Sequence, residues 1–288
     1  MAIRNYVRGW NSFKAALWLA WKIESNWTSP PLFILFCVIK PVSFLLIITF
    51  MFKFAIGGST FDVNYFSFFF IGAVLYIYVS NILSSMANVI FEDREHYEVI
   101  KYVYISPLNF YAYFLSYGLI RFLLATISVS ISFWGGYLFL GLNPFNVLKS
   151  LNLFVISSAA AVASIFFCGV IIGSLTLLTA RNATLISETA AGFFMILCGA
   201  LFPLHYLPEF LRQISVKIPI SQWFEISRRI MSATATTIDR TWQNYTSDQL
   251  LYEQLFFCLC LFIISMAVFK FANLSARARG IIDSTTNY

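Results

Sequence analysis

Charge is scarce in this chain and collects in one place. Between Phe91 and Pro107 the sequence reads Phe-Glu-Asp-Arg-Glu-His-Tyr-Glu-Val-Ile-Lys-Tyr-Val-Tyr-Ile-Ser-Pro. Glu92, Asp93, Glu95 and Glu98, four of the 13 acidic residues, fall within seven positions there. Arg94 and Glu98 stand four apart, so a helix brings them together. Val99, Ile100, Val103 and Tyr104 supply an apolar side, and Pro107 stops the helix. The pattern predicts a short helix over about 92–104, lying along a membrane surface. It serves either as a solvated turn between two hydrophobic helices or as a rigid charged face where a soluble partner docks.

Two more cations are candidates because of where they sit. An ionisable group inside a span is costly, and so is a functional candidate by default. Lys40 stands next to Pro41, whose ring and missing N–H loosen a helix. Arg121 lies inside another apolar run. Either would attract an anionic group in a pathway, snorkel to the interface, or form an interhelical ion pair, with Glu188 the partner in reach of Arg121. Enzyme chemistry finds little support. The two histidines, His96 and His205, lie in different loops, and no His-Glu-x-x-His, paired-Cys or Gly-x-Ser-x-Gly pattern exists. His205 and Glu209 stand four apart, a spacing too common to mark a metal site.

The elements that must position these residues follow from composition. The 288 residues are 59% hydrophobic and 11% charged, with mean hydropathy +0.77. A soluble domain carries about 25% charge, so soluble, disordered, collagen-like and secreted disulfide-scaffold classes are excluded. A transmembrane β-barrel would alternate apolar and polar residues in short segments, whereas these apolar runs are continuous. The reading is a polytopic all-α membrane protein. The five cysteines lie in apolar runs, an odd number that suits no disulfide framework. The net charge of +6 fits basic flanks on one membrane side, and nothing points to nucleic acid.

A span needs about 20 apolar residues. Six segments qualify, at about 31–52, 65–91, 107–140, 151–179, 184–202 and 250–271. Residues 1–29 read as a basic, Trp-rich amphipathic helix in the headgroup plane, with Tyr6, Trp10, Phe13, Leu17 and Trp21 on its apolar face. Glu24 on that face marks its end. Residues 203–231 are too polar to cross and too apolar for a solvated loop, so short re-entrant helices are expected, and 272–288 form a tail. Placing both termini in the cytosol puts ten Lys and Arg inside against seven outside.

The layout resembles the membrane subunit of ABC-2 type exporters over essentially the whole chain. The residues that carry the likeness are Phe91-Glu-Asp-Arg-Glu through Ser106-Pro107, Gly199-Ala-Leu-Phe-Pro-Leu-His-Tyr-Leu-Pro208, and Ile218-Pro219 followed by Arg228-Arg229. The resemblance implies a permease of the cytoplasmic membrane that dimerises, with itself or a similar chain, around a pathway. It also implies a cytosolic ABC ATPase docked on Glu92, Asp93, Arg94, Glu95, Glu98 and Tyr104 of the coupling helix. Helices at about Pro203–Ile214 and Ser221–Met231 would close the outer end, with Phe202, Pro203, His205 and Pro208 as gate candidates beside Lys40 and Arg121. ATP and magnesium would sit on the partner ATPase, and this chain would bind no cofactor or metal. Consistently, no Gly-Lys pair exists to form a phosphate loop. The drug- and lipid-exporting branch is the nearer match, implying an amphiphilic cargo among membrane lipids. Export of a lipid-linked polysaccharide and ion-coupled secondary transport are the alternatives.

Overall fold

The computed structural model describes residues 2–25, 29–55, 63–96, 100–106, 110–140, 147, 150–179, 183–232 and 238–280. Among these residues every regular element is helical. The order is α1 (Ala2–Ser25), α2 (Pro30–Ala55), α3 (Val63–Phe91), a π-helical turn (Glu92–His96), α4 (Ile100–Ile105), α5 (Phe110–Leu140), α6 (Leu151–Leu178) and α7 (Ala183–Leu197). A 3-10 turn (Leu204–Tyr206), α8 (Glu209–Val216), α9 (Pro219–Met231), a second 3-10 turn (Arg240–Trp242) and α10 (Ser247–Arg279) complete it.

Local chemistry sets several of these ends. Pro219 opens α9 at its first turn, where a missing N–H costs nothing. Thr246 and Gln249 form a capping box at the start of α10, and left-handed Gly280 ends it. Gly199, at φ +60°, turns the chain just after α7. That turn makes α7 a helix of 15 residues, shorter than the 184–202 stretch expected from hydropathy.

Among the described residues, four helices are long and apolar enough to cross a membrane: 64–94, 110–138, 151–178 and 247–279. Shorter apolar stretches lie at 41–51 in α2 and 185–197 in α7. Helix α3 is the hub, packed on α5, α6, α7 and α9. Phe66, Phe70, Val79, Ile82 and Met86 along it are fully buried. Helix α10 lies against α6 and α9. Gln254 on α10 accepts from the Ser157 hydroxyl of α6 at 2.7 Å and donates to the Ser157 carbonyl at 2.9 Å. Such interhelical bonds fix register between apolar helices that hydrophobicity alone would leave free to slide. The opposite side of α10 exposes Tyr252, Phe256, Leu259, Ile263 and Phe271. So large an apolar surface suits contact with hydrocarbon and not with water.

Helix α1 packs on α5. Its small residues Ala16 and Ala20 are buried, while Trp18 and Trp21 are exposed. Trp21, on the face expected to lie in the headgroup plane, is turned away from the bundle. Close packing selects the alanines for the contact and leaves the indoles on the outside.

Candidate functional site

The charged turn after α3 is built into the bundle. It continues α3 as a π-helical turn over Glu92–His96, separate from α4, where one helix over 92–104 was expected. Asp93 and Arg94 are each only 2% exposed. Asp93 Oδ2 accepts a hydrogen bond from the Tyr113 hydroxyl of α5 at 2.8 Å, and Oδ1 accepts from Tyr117 at 3.5 Å. The two tyrosine hydroxyls stand 3.1 Å apart. Arg94 Nη2 donates to the Leu177 carbonyl in the last turn of α6 at 3.5 Å. Thr176, beside it, donates to the Ala87 carbonyl of α3 at 3.0 Å.

These contacts correct the expected exposure of two residues. Asp93 and Arg94 point inward, because a buried charge must find polar partners and α5 and α6 supply them. Glu92 is half-buried. Glu98 and the side chains of Glu95 and Tyr104 lie outside the described residues. Ile100 and Val103 bury the apolar side of α4. Mechanically, the turn is joined to α3 covalently, to α5 through Asp93, and to α6 through Arg94. Displacing it moves three helices.

Arg121 pairs with Glu24 of α1 at 2.8 Å, and Glu188 is exposed. The Glu188 pairing is thus replaced by one across the α1–α5 contact. Glu24 lies on the apolar face of α1 because it meets this guanidinium. Lys40 lies on α2, and its side chain is outside the described residues.

A second polar network occupies residues 199–246. Pro203 is buried, Phe202 and His205 are half-buried, and Pro208 is exposed. His205 Nδ1 stands 3.4 Å from Asp239 Oδ1, not against Glu209, which pairs with Arg212. Asp239 is 1% exposed and also accepts from the backbone N–H groups of Leu204 at 2.8 Å and Thr241 at 3.1 Å. It ties the two 3-10 turns together. Among the described residues no group of three or more His, Cys, Asp or Glu could hold a metal.

The strongest contacts of this region belong to residues whose roles the sequence does not announce. Arg228 of α9 is 3% exposed. Its Nε donates to the Phe68 carbonyl of α3 at 3.1 Å, and Nη2 donates to the Gly199 and Ala200 carbonyls at 2.9 Å each. Its guanidinium carbon lies 3.8 Å from the Phe68 ring centroid, a desolvated cation–π contact. Gly72, one turn along α3, makes this approach possible: a Cβ there would collide with Ala200 O and Arg228 Nη2. Arg229 bonds Glu225 Oε1 at 2.8 Å and the Tyr245 and Trp242 carbonyls at 2.7 Å each. Only the Glu225–Arg229 pair had a readable signal, its i,i+4 spacing.

The profile of the ABC-2 type transporter family matches residues 11–232. The chain belongs to the ABC-2 type transporter family. No curated individual protein matches it. The match runs from within α1 to the end of α9, and so takes in the charged turn and Arg228 with its partners, while Asp239, Trp242 and Tyr245 of this ABC-2 protein lie beyond it. An ABC-2 chain is a transmembrane subunit of an ABC transporter, a transport component without catalysis of its own.

Proposed function

We propose that this chain is the permease half of an ATP-driven exporter for an amphiphilic cargo such as a lipid or hydrophobic natural product. In this reading six helices span the cytoplasmic membrane, with both termini in the cytosol and α8–α9 as an outer re-entrant pair. Two copies, or this chain and a similar one, enclose the pathway. ATP and magnesium bind to a separate ATPase that docks beside Glu92 and Glu95.

The observation that carries the proposal is the clamping of the charged turn. A docking element transmits force only if it is rigidly coupled to the spans, and here Asp93 reaches α5 while Arg94 reaches α6. That arrangement divides the cluster by task. Glu92, Glu95 and Glu98 belong to recognition, whereas Asp93 and Arg94 belong to transmission. Lipid-linked polysaccharide is the second cargo reading, and the aromatic content suits stacking on sugars as well as packing on acyl chains.

Affinity capture from native membranes tests it. An ABC ATPase is expected to co-purify with the wild-type chain and to be lost from Glu92→Lys/Glu95→Lys. Capture of the intact chain without any ATPase would overturn the reading.

A further inference from the structure

We propose that the cleft between α5 and α6 is a binding site for the acyl chain of a membrane lipid, with Trp223 of α9 in its wall. The cleft holds about 700 Å³. Helices α5 and α6 each pack on α3 far more than on each other, so a gap stands between them. Buried Leu75 and Trp223 form its floor. Exposed Ala159 and half-exposed Ala163 mark its rim on α6. The opening therefore faces sideways between two helices long and apolar enough to span a membrane, where the surrounding solvent is hydrocarbon.

Chemistry of the wall selects the occupant. The indole N–H of Trp223 is given to Ser158 Oγ at 3.0 Å, and the side chains around that pair are mostly aromatic and aliphatic: Leu75, Phe122, Phe133, Phe154, Val162 and Phe166. A water needs two to four polar partners to settle in a cavity, and in this wall Trp223 and Ser158 are already engaged with each other. Shape selects further. Ala159 and Ala163 recess the wall between the rings of Phe154 and Phe166, which are about 18 Å apart along the helix. A long recess between two rings suits an extended chain better than a compact ring system.

Occupancy has a consequence. A chain in the cleft bears on Trp223, which stands five residues before Arg228 on the same helix α9. Filling the cleft thus supports the helix that holds the end of α7 through Gly199 and Ala200. The inference stands on α5 and α6 spanning the membrane, and needs neither the ATPase nor the cargo reading.

The test reconstitutes the full-length protein in phosphatidylcholine vesicles whose acyl chains are brominated at mid-chain. Bromine quenches tryptophan fluorescence on contact. The chain has seven tryptophans, so the Trp223 signal is the difference between wild type and Trp223→Phe. Trp223 is 2% exposed, yet strong quenching of its signal is expected, and loss of that quenching in Ala163→Phe, which fills the recess. Phosphatidylcholine with a diazirine-bearing chain supplies a readout that survives if Trp223→Phe does not fold. It is expected to label the 154–166 peptide in wild type and not in Ala163→Phe. Absence of both signals, or signals undiminished in Ala163→Phe, overturns the proposal. Quenching by a brominated single-chain amphiphile but not by the phospholipid also overturns it, and assigns the cleft to cargo instead.

Discussion

Replacing Arg228 with Met removes a buried guanidinium while keeping most of its volume. Three backbone carbonyls, those of Phe68, Gly199 and Ala200, lose a donor, and Phe68 loses the cation above its ring. A hydrogen bond to a charged group contributes about 1.5–3 kcal/mol, a desolvated cation–π contact about 2, and burial of the charge opposes both, so a net loss of about 4 kcal/mol is expected. Arg228→Lys keeps the charge but not the fork that reaches α3 and the α7 end together, and is expected to cost about 2 kcal/mol. Cys198 reports the effect locally, since it is 1% exposed and adjoins Gly199. Maleimide labelling of Cys198 in native membranes, read by mass spectrometry, should rise by up to about a thousandfold in Arg228→Met, at 1.4 kcal/mol per decade. The lysine variant should fall between. Cys37, Cys258 and Cys260, read in the same digest, report global loosening. An unchanged Cys198 rate in Arg228→Met would refute the claim that this residue holds the α7 end.

Four further perturbations probe the packing. Gly72→Ala places a methyl against Ala200 O and Arg228 Nη2 and should cost about 1–3 kcal/mol or more. Gly192→Ala, with open space around it, should stabilise α7 by up to about 1 kcal/mol, both read by thermal unfolding in detergent. Reversing either charge of the Glu24–Arg121 pair should lower stability, and reversing both should restore it, with a coupling of about 1 kcal/mol in the double-mutant cycle. Tyr113→Phe removes the 2.8 Å bond to Asp93, a loss of about 1.5–3 kcal/mol. It should leave a bound ATPase in place while lowering cargo moved per ATP hydrolysed.

Helix positions were legible because apolar length is a local property. Hydropathy alone placed long apolar segments within a few residues of where α3 and α6 lie, whereas α10 continues to Arg279, past the expected end at 271 and into the expected tail. The short α7 was not legible, because its end depends on Gly199 adopting a positive φ, and nothing in an apolar run signals that. Charge density misled at Asp93 and Arg94. A dense cluster reads as surface, yet their partners Tyr113 and Leu177 come from helices 20 and 83 residues away. Arg121 stands out in the sequence as a cation inside an apolar run, whereas its partner Glu24 reads there only as a helix end. Arg228 and Arg229 form a visible pair whose role is not legible locally, since Phe68 lies 160 residues from Arg228. Asp239 carried no signal at all, because its function is to accept from backbone N–H groups.

Transport itself is the most direct measure of the central claim. The chain, purified with its associated ATPase and placed in proteoliposomes, should move a fluorescent amphiphile only when ATP and magnesium are supplied. Glu92→Lys/Glu95→Lys should abolish that movement. Movement driven by an ion gradient without ATP, or undiminished in the double variant, would contradict the account.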